Sequence, residues 1–200
     1  MPNWCNTNIT FHGKNAKKLN DLITKWTKES LPDVAFGRKW LGNCLVNSGI
    51  LEFDDAAFGK IKCRGIIEYY DLTDDEELIV ETETAWSPML KMWDIINKKL
   101  NLGLEIIYTA EEPEFEVYMT NDPSMKDVYA VDIYIDKEDY PFGYEIQDYE
   151  VSKEELEEIK KELKTIFPFA KSFDEMDMNV GGNSFVSVHE YEFVDIKNLD

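Results

Sequence analysis

Apolar residues recur at helical spacing in three separate stretches of the chain. They predict helices over residues 15–29, 88–101 and 153–167, because side chains three and four positions apart share one face of a helix. The third stretch opens with Ser152 and Glu155, which are placed to form a capping box, and Pro168 follows its end. Each predicted helix therefore has one apolar face that could cover a sheet.

Between and after these helices, apolar and polar residues alternate, as is typical of half-buried strands. The alternation predicts strands over Thr7–His12, Ile61–Tyr70, Leu78–Ala85, Leu104–Thr109, Phe115–Thr120, Val128–Ile135, Tyr144–Glu150 and Ser184–Val194. The first 110 residues then run strand, helix, strand, strand, helix, strand, which is the split βαβ or ferredoxin-like order.

We therefore expect an α+β protein whose first part is an antiparallel sheet with helices on one face. A ferredoxin-like domain is predicted over residues 1–110, with an insertion over residues 31–60 that contains a short helix at most. Residues 111–200 are predicted to form an acidic α+β extension or a second small domain.

The joint between the third predicted strand and the second helix reads ETETAWSPMLKMW over residues 81–93. Ser87 stands where a helix N-cap belongs, and Pro88 stands at the first helical position, where its missing N–H is tolerated. A nucleophile elbow would need glycines around the serine, whereas Ser87 is flanked by Trp86 and Pro88. We interpret Ser87 as a cap and Trp86 as a packing residue at the joint.

Two motifs within the first 110 residues resemble those of the YubB-type ferredoxin-like family of phage and plasmid proteins. One is the start of the chain, MPNWC over residues 1–5, and the other is TAWSP over residues 84–88, where the family enters a helix. The resemblance covers roughly residues 1–110. The family usually continues with a tyrosine-acidic-glycine segment, and residues 108–116 (YTAEEPEFE) lack the glycine. The resemblance implies a fold and a mobile-element origin but no catalytic residues. Trp4, Cys5 and Trp86 are candidates for core packing at the sheet end.

The composition shows a second feature of the chain, a large excess of negative charge. The chain of 200 residues has a formal net charge of −20, of which residues 101–200 contribute −18. Such a field repels nucleic acid and membranes and attracts basic partners. The start of the chain has neither a basic flank nor a signal-type apolar core, and no apolar run reaches membrane-spanning length, so we expect a cytoplasmic protein.

The charge is densest over residues 111–150, which hold 13 carboxylates and two lysines. Carboxylates on one strand face recur about every 6.6 Å and strands lie about 4.8 Å apart. A few acidic strands side by side could therefore approach the charge density of DNA, which carries a charge about every 3.4 Å along one strand. Seven of the ten tyrosines also lie beyond residue 110, and acid with tyrosine suits arginine-rich grooves. The partner-binding candidates are Glu111, Glu112, Glu114, Glu116, Asp132, Tyr134, Asp136, Glu138, Asp139 and Tyr144.

These features predict a non-enzymatic acidic protein that mimics nucleic acid and inhibits a host defence nuclease of the restriction or CRISPR type. The expected partner is a basic nucleic-acid-binding host protein, and neither a metal or cofactor, nor direct contact with nucleic acid, nor a membrane is expected. Two alternatives stay open: a metal-dependent hydrolase that uses the clustered carboxylates, and an acidic structural or regulatory protein without mimicry.

Other candidate sites have weaker patterns. A calcium loop starting at Asp177 would place Val188 where a bidentate glutamate is required. The cysteines at positions 5, 44 and 63 are odd in number and form no CxxC pair, which argues against a disulfide framework or a thiolate zinc site. Residues 14–64 have a net charge of +4 but contain no aromatic-basic stretch of the RNA-binding type.

Overall fold

The computed structural model describes residues 3–28, 36–137 and 139–198, with all their side chains except that of Asp148. Both helices and sheets are present, so the predicted α+β class is confirmed. The chain divides into two compact units. Unit 1 contains residues 1–122 and 193–200, and unit 2 contains residues 123–192.

The elements in chain order are β1 (Trp4–His12), α1 (Ala16–Lys28), α2 (Leu41–Asn47), α3 (Phe53–Ala57), β2 (Gly65–Asp74), β3 (Glu77–Ala85), α4 (Leu90–Lys99), β4 (Glu105–Glu112), β5 (Val117–Thr120), β6 (Val128–Ile135), β7 (Tyr144–Ser152), α5 (Lys153–Ile166), α6 (Phe173–Asp177), β8 (Phe185–Glu190) and β9 (Glu192–Phe193).

Unit 1 is built on a six-stranded sheet with the strand order β2-β3-β1-β4-β5-β9. The strand β1 lies in the middle and pairs antiparallel with both β3 and β4, so that Ile9 lies between Val80 and Tyr108. The hairpin of β2 and β3 completes one side, and β5 pairs antiparallel with β4 on the other. Residues 111 and 112, predicted to begin the extension, therefore belong to this sheet.

The core of unit 1 follows from alternation along β1 and periodicity along the helices. Ile9 and Phe11 are buried, whereas their neighbour Asn8 is exposed. Ile23 of α1 and Trp93 of α4 are buried in the same cluster, and the rings of Phe11 and Trp93 meet edge to face at 5.4 Å between centroids. Burial of large apolar side chains of this kind stabilises each by about 1.5–3 kcal/mol.

Unit 2 is a three-stranded antiparallel sheet in the order β7-β6-β8, with α5 and α6 on one face. Ile133 of β6 is buried with Leu163 of α5 and Met176 of α6. The predicted capping box of α5 is confirmed. The Ser152 hydroxyl accepts a hydrogen bond from the Glu155 N–H at 3.3 Å, and the Glu155 carboxylate accepts one from the Ser152 N–H at 2.8 Å.

Two local predictions are wrong. The insertion contains two short helices, α2 and α3, instead of one at most; residues 31–35 of it lie outside the described part of the chain. The strand predicted to start at Phe115 starts at Val117, because residues 113–115 form a 3-10 turn and Glu116 adopts a left-handed backbone with φ of 55°. Glu114 and Glu116 consequently do not share a strand face.

The predicted cap at Ser87 is also wrong. Helix α4 begins at Leu90, with Met89 at the N-cap position and no side-chain cap. Trp86 has φ of 66°, which turns the chain sharply before the helix. The Thr84 hydroxyl donates to the Ser87 carbonyl at 2.9 Å and holds this turn.

None of the helices within the described ranges is long and apolar enough to cross a membrane.

Candidate functional site

The predicted partner-binding residues fall into both units. Glu111, Glu112, Glu114 and Glu116 lie at the β4–β5 connection of unit 1. Only 2% of Glu112 is exposed, and its carboxylate accepts a hydrogen bond from the Phe115 N–H at 2.5 Å. The placement of Glu112 at a partner surface is therefore wrong, because this carboxylate caps the turn. Glu114 is exposed and accepts a hydrogen bond from the Asn3 amide at 2.5 Å.

The remaining candidates lie in unit 2, chiefly on β6 and the loop that follows it. Asp132, Tyr134 and Asp136 alternate with the buried residues of β6, so they lie on the sheet face opposite α5 and α6. In the strand register, Tyr134 lies between Glu145 of β7 and Phe185 of β8. Acidic and aromatic side chains are thus neighbours across three strands.

The β6–β7 loop is held by hydrogen bonds that use one of the predicted carboxylates. The Asp139 carboxylate accepts a hydrogen bond from the Ser184 hydroxyl, and the Ser184 hydroxyl in turn accepts one from the Asp136 N–H at 2.8 Å. The backbone oxygen of Asp136 accepts from the Tyr140 N–H at 2.9 Å. Asp139 therefore positions the loop, and Glu138 lies outside the described residues.

Three of the candidates converge on a small concave site, which we call the hairpin groove. It has a volume of about 360 Å³ and lies where β6 ends and β7 begins. Its lining is Tyr134, Ile135, Asp136, Lys137, Phe142, Gly143, Tyr144 and Glu145. Two carboxylates, two tyrosine rings and one phenylalanine ring therefore surround a space of side-chain size.

The electrostatics of the groove reflect its carboxylates. The negative charge of Asp136 raises the pKa of Tyr134, with further contributions from slight burial and from Glu145. Burial, together with a 3.0 Å hydrogen bond donated to the Glu162 carboxylate, raises the pKa of Tyr144 to about 12. Both phenols therefore stay protonated at neutral pH and can donate or accept hydrogen bonds.

A second concave site lies in unit 1, and no local pattern in the sequence predicts it. We call it the aromatic cleft. It has a volume of about 780 Å³, and Lys62 and Arg64 contribute its cations. Its aromatic lining residues are Trp4, Phe36, Trp40, Phe58 and Trp86.

Trp4 and Trp86 were expected to pack in the core, and this expectation is wrong. The exposed fractions are 43% for Trp4 and 47% for Trp86, whereas Cys5 is completely buried as predicted. The Arg64 guanidinium lies over the Trp86 ring, 4.7 Å from its centroid, within cation–π range.

The three cysteines are all buried and free. Burial raises the pKa of the Cys5 and Cys63 thiols to about 11 and that of Cys44 higher still. A thiolate, which is the reactive form, is therefore disfavoured at all three positions near neutral pH.

The stretch from Asp177 that could be aligned with a calcium loop uses its side chains in hydrogen bonds to the backbone. The Asp177 carboxylate accepts a hydrogen bond from the Val186 N–H at 2.7 Å, and the Asn179 amide donates to the Glu175 carbonyl. In the described parts of the chain, no three His, Cys, Asp or Glu side chains converge as a metal ion would need.

Comparisons of the chain with protein-family models, with curated proteins and with solved structures found no match.

Proposed function

We propose that this chain is a non-enzymatic binding protein whose hairpin groove receives basic side chains of a nucleic-acid-handling host protein. The observation that carries the proposal is the convergence of Asp136, Glu145 and Tyr134 around one groove. A guanidinium can donate paired hydrogen bonds to a carboxylate and stack on an aromatic ring. The groove offers both kinds of partner within its 360 Å³.

The charge of unit 2 supports a basic partner. Residues 123–192 contain 18 acidic and seven basic residues, a net charge of −11. Four of these lysines lie on α5, on the other side of the sheet from Asp132 and Asp136. The acidic face is therefore electrostatically suited to a surface that normally binds phosphates, and its field would speed encounter with such a surface.

The fold of unit 1 supports the wider proposal of a phage or plasmid origin. We infer a ferredoxin-like arrangement for unit 1 from the strand order β2-β3-β1-β4, in which each strand is antiparallel to its neighbours. The MPNWC and TAWSP motifs resemble the YubB-type family in the same unit. An element of this origin gains from blocking a cytoplasmic restriction or CRISPR nuclease of its host, and mimicry of nucleic acid is one means of doing so.

Binding to an arginine-rich peptide tests the groove directly. The variant with Asp136→Asn and Glu145→Gln should bind a hexa-arginine peptide about 10- to 100-fold more weakly, because each change removes a charge-assisted hydrogen bond. The matched control carries Glu157→Gln and Glu158→Gln on the exposed face of α5, with the same change in net charge. Equal losses in the two double variants would contradict a groove-specific role and leave only general acidity.

A pull-down from host lysate tests the class of partner. Nucleic-acid-binding proteins should be retained at low salt, released at high salt and displaced by added DNA, since the mimic and DNA would occupy the same basic surface. The Asp136→Asn, Glu145→Gln variant should retain less of them than the α5 control. Retained proteins that DNA does not displace would refute mimicry.

A further inference from the structure

The aromatic cleft of unit 1 has a composition unlike the rest of the chain. Among the described residues that line it there are two cations, Lys62 and Arg64, and no carboxylate, although the chain contains 41 acidic residues. Both cations lie in the segment that leads into β2, two positions apart, and both are exposed. The cleft is therefore a local cationic and aromatic site in an acidic protein.

The backbone around the cleft is shaped with unusual conformations. Trp86 adopts a left-handed backbone with φ of 66°, which is uncommon for a bulky residue and costs about 1–3 kcal/mol where it occurs. Its N–H donates to the Asn3 carbonyl at 2.9 Å, so the residue that precedes β1 helps to hold this conformation. Strained residues of this kind cluster at ligand sites, and here the strain leaves the indole at the surface beside Arg64.

Two close approaches at glycines involve lining residues of the cleft, Gly65 itself and the ring of Trp40. A Cβ at Gly65 would lie 2.4 Å from the Glu83 carbonyl oxygen, so only glycine lets β2 come this close to β3. A Cβ at Gly42 would lie 2.2 Å from the Trp40 ring, so glycine at this position lets the ring come close to the backbone of α2. The cleft is thus a built feature of the fold and not a gap between loose side chains.

We propose that the aromatic cleft binds a small ligand in which a planar aromatic ring is joined to an anionic group, of the class of nucleoside monophosphates. The exposed indoles of Trp4 and Trp86 offer stacking surfaces for a base. The Arg64 guanidinium and the Lys62 ammonium offer donors for a phosphate. The volume of about 780 Å³ lies within the range of about 300–1,000 Å³ that is usual for small-molecule sites.

The net charge argues for a free nucleotide instead of a long single strand. A polynucleotide would bring many phosphates against a protein of net charge −20, whereas the described residues that line the cleft include two cations. A mononucleotide brings one phosphate, which these two cations can match. This site is separate from the hairpin groove, and neither proposal depends on the other.

Calorimetric titration of the full-length protein with AMP tests the proposal. We expect saturable binding of AMP, and binding at least about tenfold weaker for adenosine, which lacks the phosphate, and for ribose 5-phosphate, which lacks the base. A six-nucleotide single-stranded DNA should bind no more tightly than AMP. Absence of saturable AMP binding, or adenosine binding as tight as AMP, would overturn the proposal.

Three variants assign the binding to the cleft. Arg64→Gln should weaken AMP binding about tenfold or more, because the charged donor is lost from an exposed position. Trp86→Gly should do so as well while keeping the fold, since glycine adopts the left-handed backbone without steric cost. The control, Lys18→Gln, makes the same charge change on the exposed face of α1, outside the cleft.

Each outcome of this series bears on the proposal. Weakening by Arg64→Gln and Trp86→Gly, with Lys18→Gln unchanged, supports it. Equal affinity in all three variants would show that AMP binds elsewhere and would overturn it. Tighter binding of the DNA hexamer than of AMP would overturn the assignment to a free nucleotide.

Discussion

Replacing Gly65 with alanine should destabilise unit 1 by about 2 kcal/mol, because the added methyl would press β2 away from β3. The new Cβ would lie 2.4 Å from the Glu83 carbonyl oxygen and 2.7 Å from the Thr84 Cγ2. Carbon–oxygen contacts in sheets are usually about 3.3–3.6 Å, so the strands would have to separate locally by roughly 1 Å. Overpacking of this kind costs about 1–3 kcal/mol.

A smaller term opposes this cost. Gly65 does not have a left-handed backbone, so alanine restricts the unfolded chain without straining the native backbone, which contributes about 0.4–1 kcal/mol of stability. An overpacking cost near the upper end, about 3 kcal/mol, less this gain leaves a net loss of about 2 kcal/mol.

Urea unfolding followed by tryptophan fluorescence measures this loss in the right unit. All five tryptophans of the chain lie in unit 1, at positions 4, 26, 40, 86 and 93. The control is Gly59→Ala, where φ is 75° and no atom of the described residues lies within 4 Å of the new Cβ. It should cost only about 1 kcal/mol, for the left-handed backbone. If Gly65→Ala proves no more destabilising than Gly59→Ala, the close approach of the two strands is not as described.

Three further outcomes are expected. Ser152→Ala should lower the free energy of unfolding of unit 2 by about 1 kcal/mol through loss of the capping box, as measured by circular dichroism in urea. Asp136→Asn should lower the pKa of Tyr134 towards its ordinary value, because the negative charge that chiefly raises it is removed; NMR titration of the tyrosine ring resonances follows it. The three buried cysteines should react slowly with a thiol reagent at pH 8 in the native protein and rapidly in urea, since a rise of the Cys5 pKa from 9.0 to about 11 leaves roughly a hundredfold less thiolate.

The features that the sequence predicted well are those with a local chemical signal. Helix α5 was predicted over residues 153–167 and observed over Lys153–Ile166, because Ser152 and Glu155 mark its start and the apolar period marks its face. Strand β6 was predicted with the observed bounds, Val128–Ile135. Only one face of this strand is buried, so apolar residues on that face alternate with residues on the opposite face. These patterns involve residues that are close together in the sequence, so they can be recognised from the sequence alone.

The errors arose where a local pattern competed with a contact from elsewhere. The alternation of acidic and apolar residues near Glu114 resembles a strand, but the buried Glu112 carboxylate caps a turn there instead. Ser87 and Pro88 resemble a helix start, but the Thr84 hydroxyl holds the chain in a turn and delays the helix to Leu90. Side-chain hydrogen bonds to the backbone are a common alternative to regular structure and leave little trace in periodicity.

The two candidate sites differ in how much of them the sequence could disclose. The lining of the hairpin groove comes from one stretch of chain, residues 134–145, so Tyr134, Asp136 and Tyr144 could be selected from composition alone, whereas Glu145 was not among the predicted residues. The aromatic cleft joins residues near positions 4, 40, 64 and 86, and only the pairing of β1, β2 and β3 brings them together. Periodicity in the sequence does not predict that these residues lie together, because each tryptophan by itself is an ordinary candidate for the core.

The two proposed sites differ in character: two carboxylates, two tyrosines and one lysine line the hairpin groove, whereas the described residues that line the aromatic cleft include two cations and no carboxylate. Binding at the two sites should depend differently on salt concentration. Attraction between unit 2, with a net charge of −11, and a basic partner acts over distances that about 0.15 M salt screens, because the Debye length there is about 8 Å. Stacking on Trp86 acts at contact distance and is less sensitive to salt, so raising the salt concentration should weaken hexa-arginine binding far more than AMP binding. Equal salt dependence of the two would mean that general electrostatics, and not two differently built sites, governs what this protein binds.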